Sequence, residues 1–207
     1  MLGLEEIIGL ELISSDAKVI GTIEGVGMDL KAWKLKALKI GLRRGMEEAV
    51  GSKRRFFGVN KIYVKTTELQ SVSDAVIMRR PVSALGEILE PEGEHLIPAG
   101  KFMGMRVICS NATFLGNVDN VFVDTETEWS IPYIQVKLDR DAMDRLSLQR
   151  TFMASSLIPI RTRDVEAIGE MVILSISVDE LRAALNSGSS PVPLGGQGSS
   201  GQTGPSF

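Results

Sequence analysis

Short runs of alternating apolar and polar residues fill most of the chain, and the same series of runs occurs twice. Apolar positions alternate at 10–12 and 19–23 around the polar stretch SSDA, and at 105–107 and 114–118 around SNAT. Alternation on both sides of a short polar turn predicts a β-hairpin. Asp16 and the equivalent Asn111 suit that turn because their side chains bond nearby backbone and tolerate the left-handed region.

The later segments predict further strands in each copy and a helix at the end of the second. WKLKALKIGL and WSIPYIQVKL alternate as strands do, NKIYVK and SLIPIR follow, and DAVIM and EMVIL suit short buried strands. Pro159 in SLIPIR indicates an edge position or a bulge. The segment SVDELRAALN is expected to be helical, capped by Ser177 or Asp179, with apolar residues at helical spacing at Val178, Leu181, Ala184 and Leu185.

The two series align at a nearly constant offset over more than a hundred positions. Gly9 matches Gly104 at an offset of 95, and from position 33 onward, where Trp33 matches Trp129, the offset is 96. A period of that length suits a small domain and is too long for a solenoid unit. We therefore expect domain 1 at 1–86 and domain 2 at 101–187. Residues 87–100, acidic and rich in Pro and Gly, are expected to form a linker, and residues 188–207, mostly Gly, Ser, Pro and Gln, a disordered tail.

Four matched glycines are expected to have structural roles. Gly21 and Gly116 lie within strands, where glycine marks a bulge, a barrel corner or a close backbone approach. Gly9 and Gly104 precede the first strand of each hairpin. Five or so short strands in about 85 residues predict a mainly β fold of two tandem small barrels, closed or half-closed, each with its own core and a short C-terminal helix or turn.

Composition narrows the cellular setting. The net charge of −3 gives no overall attraction to nucleic acid or anionic lipid. The single cysteine, Cys109, excludes an intrachain disulfide framework and fits a reducing compartment. No apolar run approaches the ~20 residues that span a bilayer, and the N-terminus is acidic where a signal peptide is basic. We therefore expect a cytoplasmic protein that does not insert into membranes directly.

The repeated hairpin segment resembles the N-terminal sequence pattern of the PRC-barrel family, which is named after a subunit of the photosynthetic reaction centre. The resemblance is carried by Gly9, Ser15, Asp16, Gly21 and Asp29, and again by Gly104, Ser110, Asn111, Gly116 and Asp124. It implies protein-docking modules, which family members provide in the reaction centre, in a ribosome-maturation factor and in archaeal cell division.

A tandem of two such barrels most resembles the soluble archaeal cell-division members. That likeness implies a non-enzymatic adaptor in FtsZ/SepF-based division, recruited to the division site. It also implies SepF and another PRC-barrel protein as partners, and a homo- or hetero-oligomer. The alternative is an RNA- or ribosome-associated maturation factor.

Catalytic and cofactor chemistry finds little support in the residue pattern. The only histidine, His95, lies in the expected linker, and no nucleophile–histidine–carboxylate set or nucleotide fingerprint is visible. Asp29 and Asp124 end strands and are expected to form turns. We predict no enzyme activity, no cofactor and no metal; a redox-sensor function would depend on Cys109 alone.

Charge is divided unevenly along the chain and suggests an interface. Residues 1–85 carry a net charge of +4, residues 86–100 a net −4 and residues 101–207 a net −3. Candidate interface residues are Lys34 and Lys36 in the basic strand, with Arg54, Arg55 and Phe57, because Arg and aromatic residues dominate interface hot spots. Alternatively, these basic residues form a solvated strand face or bind single-stranded nucleic acid. The negative net charge of the whole chain does not favour nucleic-acid binding.

Overall fold

A computed structural model of the protein describes residues 1–46, 61–87, 89–90, 97–148 and 156–187. Its elements follow one order twice. The first half contains β1 (Leu2–Gly3), α1 (Leu4–Ile7), β2 (Glu11–Ile13), β3 (Val19–Asp29), β4 (Lys34–Leu42), β5 (Lys61–Lys65), a 3₁₀ helix (Thr66–Glu68), β6 (Leu69–Val72), β7 (Ala75–Met78), a 3₁₀ helix (Val82–Glu87) and β8 (Leu89–Glu90). The second half contains β9 (Ile97–Pro98), α2 (Ala99–Phe102), β10 (Arg106–Ile108), β11 (Phe114–Asp124), β12 (Ser130–Leu138), α3 (Arg140–Arg145), β13 (Leu157–Arg161), a 3₁₀ helix (Thr162–Asp164), β14 (Val165–Ile168), β15 (Met171–Leu174) and α4 (Val178–Asn186).

Strand order is also the same in both halves, and the predicted mainly β fold is confirmed. The first half runs β6-β7-β2-β3-β4-β5 and the second β14-β15-β10-β11-β12-β13. Neighbours are antiparallel except the parallel pairs β2–β7 and β10–β15. The sheet is not closed, since no ladder between described residues joins β5 to β6 or β13 to β14. In each half a three-residue 3₁₀ helix connects these two strands, and the closed form of the predicted barrel is not observed.

The repeated glycines permit close backbone approaches and left-handed turns. A Cβ on Gly21 would lie 2.1 Å from the carbonyl oxygen of Gly41, and one on Gly116 would lie 2.0 Å from that of Lys137. Gly9 and Gly104 have φ of 98° and 80°, a region that favours glycine.

The hairpin turns differ from expectation in one respect. The left-handed residues are Ala17 and Ala112, with φ of 59° and 60°, rather than Asp16 and Asn111. In the first half the Ala17 N–H donates to the Ser14 carbonyl at 3.0 Å, and this backbone bond closes the turn. It therefore puts Ala17 in the left-handed region, one residue after Asp16. Asp16 instead accepts a hydrogen bond from the distant Val82 N–H at 3.0 Å.

The two halves are joined into one sheet by an approximately two-fold arrangement. Lys34 pairs with Ser130, which occupies the same position in the other copy. On either side, Leu35 N–H donates to the Trp129 carbonyl at 2.8 Å and Ile131 N–H donates to the Trp33 carbonyl at 2.7 Å. This reciprocity is the pattern of an isologous interface, formed here within one chain.

Each half also contributes its N-terminal arm to the other half. β1 pairs with β11 through Leu2–Val123, and β9 pairs with β3 through Ile97–Met28. α1 contacts β11 and α2 contacts β3 in the same crossed manner. The side chain of Phe102, fully buried, meets the ring of Trp33 edge to face at a centroid distance of 6.0 Å.

The expectation of a private core for each half is therefore wrong. Buried residues of both halves form a single hydrophobic cluster. The long strands β3 and β11 extend beyond the short strands β2 and β10 that pair with them. The crossed arms cover those extensions, whose edges would otherwise remain unpaired. Residues 97–100 of the expected linker form β9 and the start of α2, and the proposed domain limits stay a prediction.

The C-terminal elements agree with the local sequence signals. Ser177 caps α4: its Oγ accepts from Glu180 N–H at 3.3 Å, and its N–H donates to Glu180 Oε2 at 2.7 Å. Val178 and Leu181 are buried. In the first half a 3₁₀ helix, Val82–Glu87, takes the place of α4. Pro159 lies in β13, which pairs only with β12 among the described strands and is the expected edge strand.

Candidate binding groove at the junction of the two halves

A groove of about 700 Å³ lies beside the join between the halves. Its first wall comes from the start of β4, the corner Thr66–Glu68 and the strand β6, and its second wall from the 125–129 hairpin of the other half. Buried apolar side chains of Leu35, Leu69 and Trp129 form its floor. The volume falls in the range of about 300–1,000 Å³ found for ligand-binding clefts. We call this cleft the junction groove.

Local hydrogen bonds fix the shape of the first wall. The Thr66 hydroxyl donates to the carbonyl of Leu35 at 2.9 Å, which holds the corner between β5 and β6 against the start of β4. Thr162 makes the equivalent bond to Ile131 at 2.8 Å. Both threonines are buried, so the corner is rigidly attached in each half.

Aspartates at the ends of the two long strands shape the hairpins. Asp124 Oδ1 accepts from the N–H groups of Glu126 at 3.1 Å and Thr127 at 3.3 Å, and Asp29 makes the equivalent bonds to Lys31 and Ala32. The hydrogen bond with the Thr127 side chain and these backbone bonds hold the pKa of Asp124 below its ordinary value. Both aspartates are the turn formers that the sequence predicted.

The two walls of the junction groove carry opposite charges. Lys34, Lys36 and Arg79 line the first wall, and Glu126 and Glu128 line the second. Lys34 Nζ forms an ion pair with Glu128 across the junction, and this hydrogen bond and charge hold the pKa of Glu128 below its ordinary value. The pair is solvent-exposed and therefore screened by salt.

Two cations of the first wall remain available to a ligand. No carboxylate of the described residues forms an ion pair with Lys36 or Arg79, whereas Lys61 is paired with Glu24 at 2.8 Å and Arg80 with Glu68 at 3.5 Å. The groove therefore presents a cationic end and an acidic hairpin over an apolar floor.

The pseudo-equivalent position across the two-fold relationship differs in charge. A shallower cleft of about 600 Å³ is lined there by Pro132, Tyr133, Arg161, Thr162 and Arg163. Where the first half has Lys34, Lys36 and Arg79, the second has Ser130, Pro132 and Ser175. The backbone is therefore symmetric at the junction, but the charges of the two clefts differ.

The predicted interface residues are divided by the structure. Lys34 and Lys36 lie together in the junction groove. Arg54, Arg55 and Phe57 lie outside the described residues, as does His95. Sequence reasoning missed Arg79, Glu126 and Glu128; comparing charges at repeat-equivalent positions would have found Arg79, because its counterpart is the neutral Ser175.

Features that would indicate other chemistry are few in the described part of the chain. No group of three or more His, Cys, Asp and Glu residues there could hold a metal ion. Cys109 is buried, and burial raises the pKa of its thiol to about 11. No helix among the described residues is both long enough and apolar enough to cross a membrane.

Comparison with known proteins gives little further information. No protein-family model matches the chain, and no curated protein matches it. Among solved structures, a Pseudomonas aeruginosa protein assigned as the 16S ribosomal RNA processing protein RimM is similar at 15% identity and a TM-score of 0.26. That match covers 77% of this chain and 95% of the RimM chain.

Proposed function

We propose that this protein is a non-enzymatic adaptor that binds another protein in the junction groove. The observation that carries the proposal is the opposed charge of the two walls, with Lys36 and Arg79 on one and Glu126 and Glu128 on the other. A protein segment can satisfy both signs, because it can carry acids and bases a few residues apart. The apolar floor suits one or two aliphatic side chains.

A second candidate, RNA binding in a maturation role, has its own supporting observation. No carboxylate in the described part of the chain is ion-paired with Lys36 or Arg79, and Lys39 lies 5.9 Å from the ring centroid of the neighbouring Tyr63. Lysines beside an aromatic ring can hold a single strand. Glu126 and Glu128 oppose this candidate because they would repel phosphates inside the groove.

The experiment replaces the exposed Gln70 in the groove with a photo-crosslinking amino acid, and the repeat-equivalent Glu166 in a control variant. Illumination in cells that naturally contain the protein should give an adduct from position 70 that resists ribonuclease and is removed by protease. The control position should give none. A ribonuclease-sensitive adduct would support the RNA candidate and contradict the adaptor.

A salt titration separates the same two candidates in the purified protein. RNA held by several lysines should bind tightly at low salt and lose affinity steeply as salt rises. A protein partner seated partly on the apolar floor should show a weaker salt dependence.

The setting of the adaptor is a further part of this proposal. A place at the archaeal division site, with SepF and a second PRC-barrel protein as partners and a homo- or hetero-oligomeric assembly, is supported by the family resemblance alone. Mass-spectrometric identification of the cross-linked protein tests it directly.

A further inference from the structure

The strand β6 forms one end of the sheet and lies along the junction groove. Among the described residues it pairs only with β7, and Leu69, Gln70, Ser71 and Val72 all line the cleft. A strand at a sheet edge presents unpaired N–H and C=O groups that can pair with an added strand. The groove therefore contains backbone groups able to bind a peptide, in addition to charged side chains.

The outer edges of β5 and β13 are protected, whereas β14, the repeat-equivalent of β6, pairs only with β15 among the described strands. The outer edge of β5 is covered by β8, through Tyr63–Glu90 and Val64–Leu89. The equivalent edge in the second half, β13, contains Pro159, which has no N–H to donate. The four residues of β6 include neither proline nor lysine, the two residues that commonly block such an edge.

The cations of the groove lie toward one end of β6. Arg79 N–H donates to the carbonyl of Glu68, immediately before β6, and the Thr66 hydroxyl also contacts the Lys36 carbonyl at 3.3 Å. Both cationic residues are thus anchored near the Leu69 end of the strand. A carboxylate of a bound segment is best placed at that end.

The repeat-equivalent edge has no cation at the positions of Lys34, Lys36 and Arg79. β14 corresponds to β6, and the hairpin facing it contains Leu30, Lys31, Ala32 and Trp33 in place of the acidic 125–129 hairpin. The start of β12 beside it has Ser130 and Pro132 in place of Lys34 and Lys36. Arg161 and Arg163 line the cleft beside β14, and Arg163 lies 3.9 Å from Asp164, so β14 is an internal control for the Lys36 and Arg79 positions in particular.

From these observations we infer that an extended segment of a partner protein adds as a strand to the free edge of β6. Its acidic residue lies between Lys36 and Arg79, and an aliphatic side chain lies on Leu35 and Leu69. This inference rests on the proposed adaptor function and specifies how the partner is held.

The experiment uses the full chain and the synthetic peptide Asp-Val-Thr-Val-Thr-Val-Asp with blocked ends, whose two acids make strand direction immaterial. Alternate amides of a strand point to opposite edges, so two further peptides carry N-methyl groups on all valines or on all threonines. An added strand uses only one of its two edges. The peptide methylated on that edge should lose affinity by about tenfold or more, because two or three backbone hydrogen bonds of about 1 kcal/mol each are lost. The other methylated peptide should retain its affinity.

Amide signals in NMR spectra locate the peptide. Addition of the unmethylated peptide should shift Gln70, Ser71 and Val72 and slow their hydrogen exchange, while Glu166, Ala167 and Ile168 of β14 stay unchanged. Lys36→Glu should weaken this peptide and strengthen the version with lysine at both ends. Lys137→Glu, the same change at an exposed strand position outside the groove, should alter neither.

The outcomes separate this inference from the proposed function. Equal binding of both methylated peptides, or shifts confined to the 125–129 hairpin, would overturn strand addition and leave a protein-binding groove. Absence of binding by every peptide at millimolar concentration would overturn strand addition. An RNA adduct at position 70 in the cross-linking experiment would overturn the adaptor function itself.

Discussion

Lys34 and Ser130 pair across the junction, and they occupy the same position in the two copies of the repeat. A residue that pairs with its own counterpart lies close to the two-fold relationship between the copies. The reciprocal bonds of Leu35 and Ile131 to the two tryptophan carbonyls agree with this position. The chain therefore folds as an intramolecular counterpart of a symmetric dimer with exchanged arms.

Separation of the halves is the first prediction. Fragments 1–90 and 91–187 should co-purify as a one-to-one complex when co-expressed, because each arm completes a strand edge of the other half. Size-exclusion chromatography with light scattering gives the stoichiometry. Two fragments that each remain monomeric and fully folded when mixed would contradict the exchange.

Phe102→Ala is expected to destabilise the whole chain strongly. Phe102 belongs to the second copy by sequence, yet it is fully buried against Trp33 of the first. Its loss should lower the free energy of unfolding by about 3–5 kcal/mol, the usual cost of truncating a buried phenylalanine. Chemical denaturation measures this change.

Phe114→Ala is the matched control for that variant. Phe114 is only partly buried, and its ring faces the Arg106 guanidinium at 5.0 Å. Its truncation should cost clearly less than that of Phe102. Equal losses from the two variants would contradict the importance of the crossed arm.

Gly21→Ala and Gly25→Ala should differ although both glycines lie in β3. A methyl at 21 would lie 2.1 Å from the Gly41 carbonyl oxygen, whereas the nearest atoms at 25 belong to Lys39 at 3.9 Å. We expect a loss of about 1–3 kcal/mol at 21 and a change within about 1 kcal/mol at 25. Thermal unfolding of both variants measures the difference, and equal melting temperatures would contradict the close approach.

Features with a local cause were predictable from the sequence. The hairpins, the cap at Ser177 and the edge position of Pro159 each depend on residues within a few positions of one another. Alternation, capping residues and proline report such local geometry directly. The left-handed residue was misplaced by one position because residue preference favours Asp16, whereas the backbone bond from Ala17 N–H to the Ser14 carbonyl puts Ala17 in the left-handed region.

The crossed arms and most of the groove were not predictable in this way. β1 and β9 have two residues each, too few for any alternation to show, and Leu2 pairs with the distant Val123. The groove joins segments near positions 35, 70 and 127, which only the junction brings together. Lys34 and Lys36 were found because they share one strand, while the acids facing them lie in the other half.

Cys109 should be almost unreactive in the folded protein. Burial raises the pKa of its thiol to about 11, so only about one molecule in ten thousand carries the thiolate at neutral pH. Labelling by a disulfide reagent should be slow in buffer and fast in denaturant. Rapid labelling of the native chain would revive the redox-sensor alternative.

Asp16→Asn should flatten the acid limb of the stability profile. Hydrogen bonds from the Ser14 side chain and the Val82 N–H hold the pKa of Asp16 at about 2, against an ordinary value of 3.8. Because the folded-state pKa is the lower one, the carboxylate favours the folded state above about pH 4, and this contribution is lost as the pH falls toward 2. Urea denaturation between pH 2 and 6 should show a smaller decline for Asp16→Asn than for the wild type.

The asparagine is the residue that the second copy carries at 111, so the fold accepts it. The variant Asp16→Ala also removes the oxygen that accepts from the Val82 N–H, so it separates the effect of the charge from that of the hydrogen bond. It should be less stable than Asp16→Asn throughout the pH range. Parallel stability profiles for Asp16→Asn and the wild type would contradict the lowered pKa.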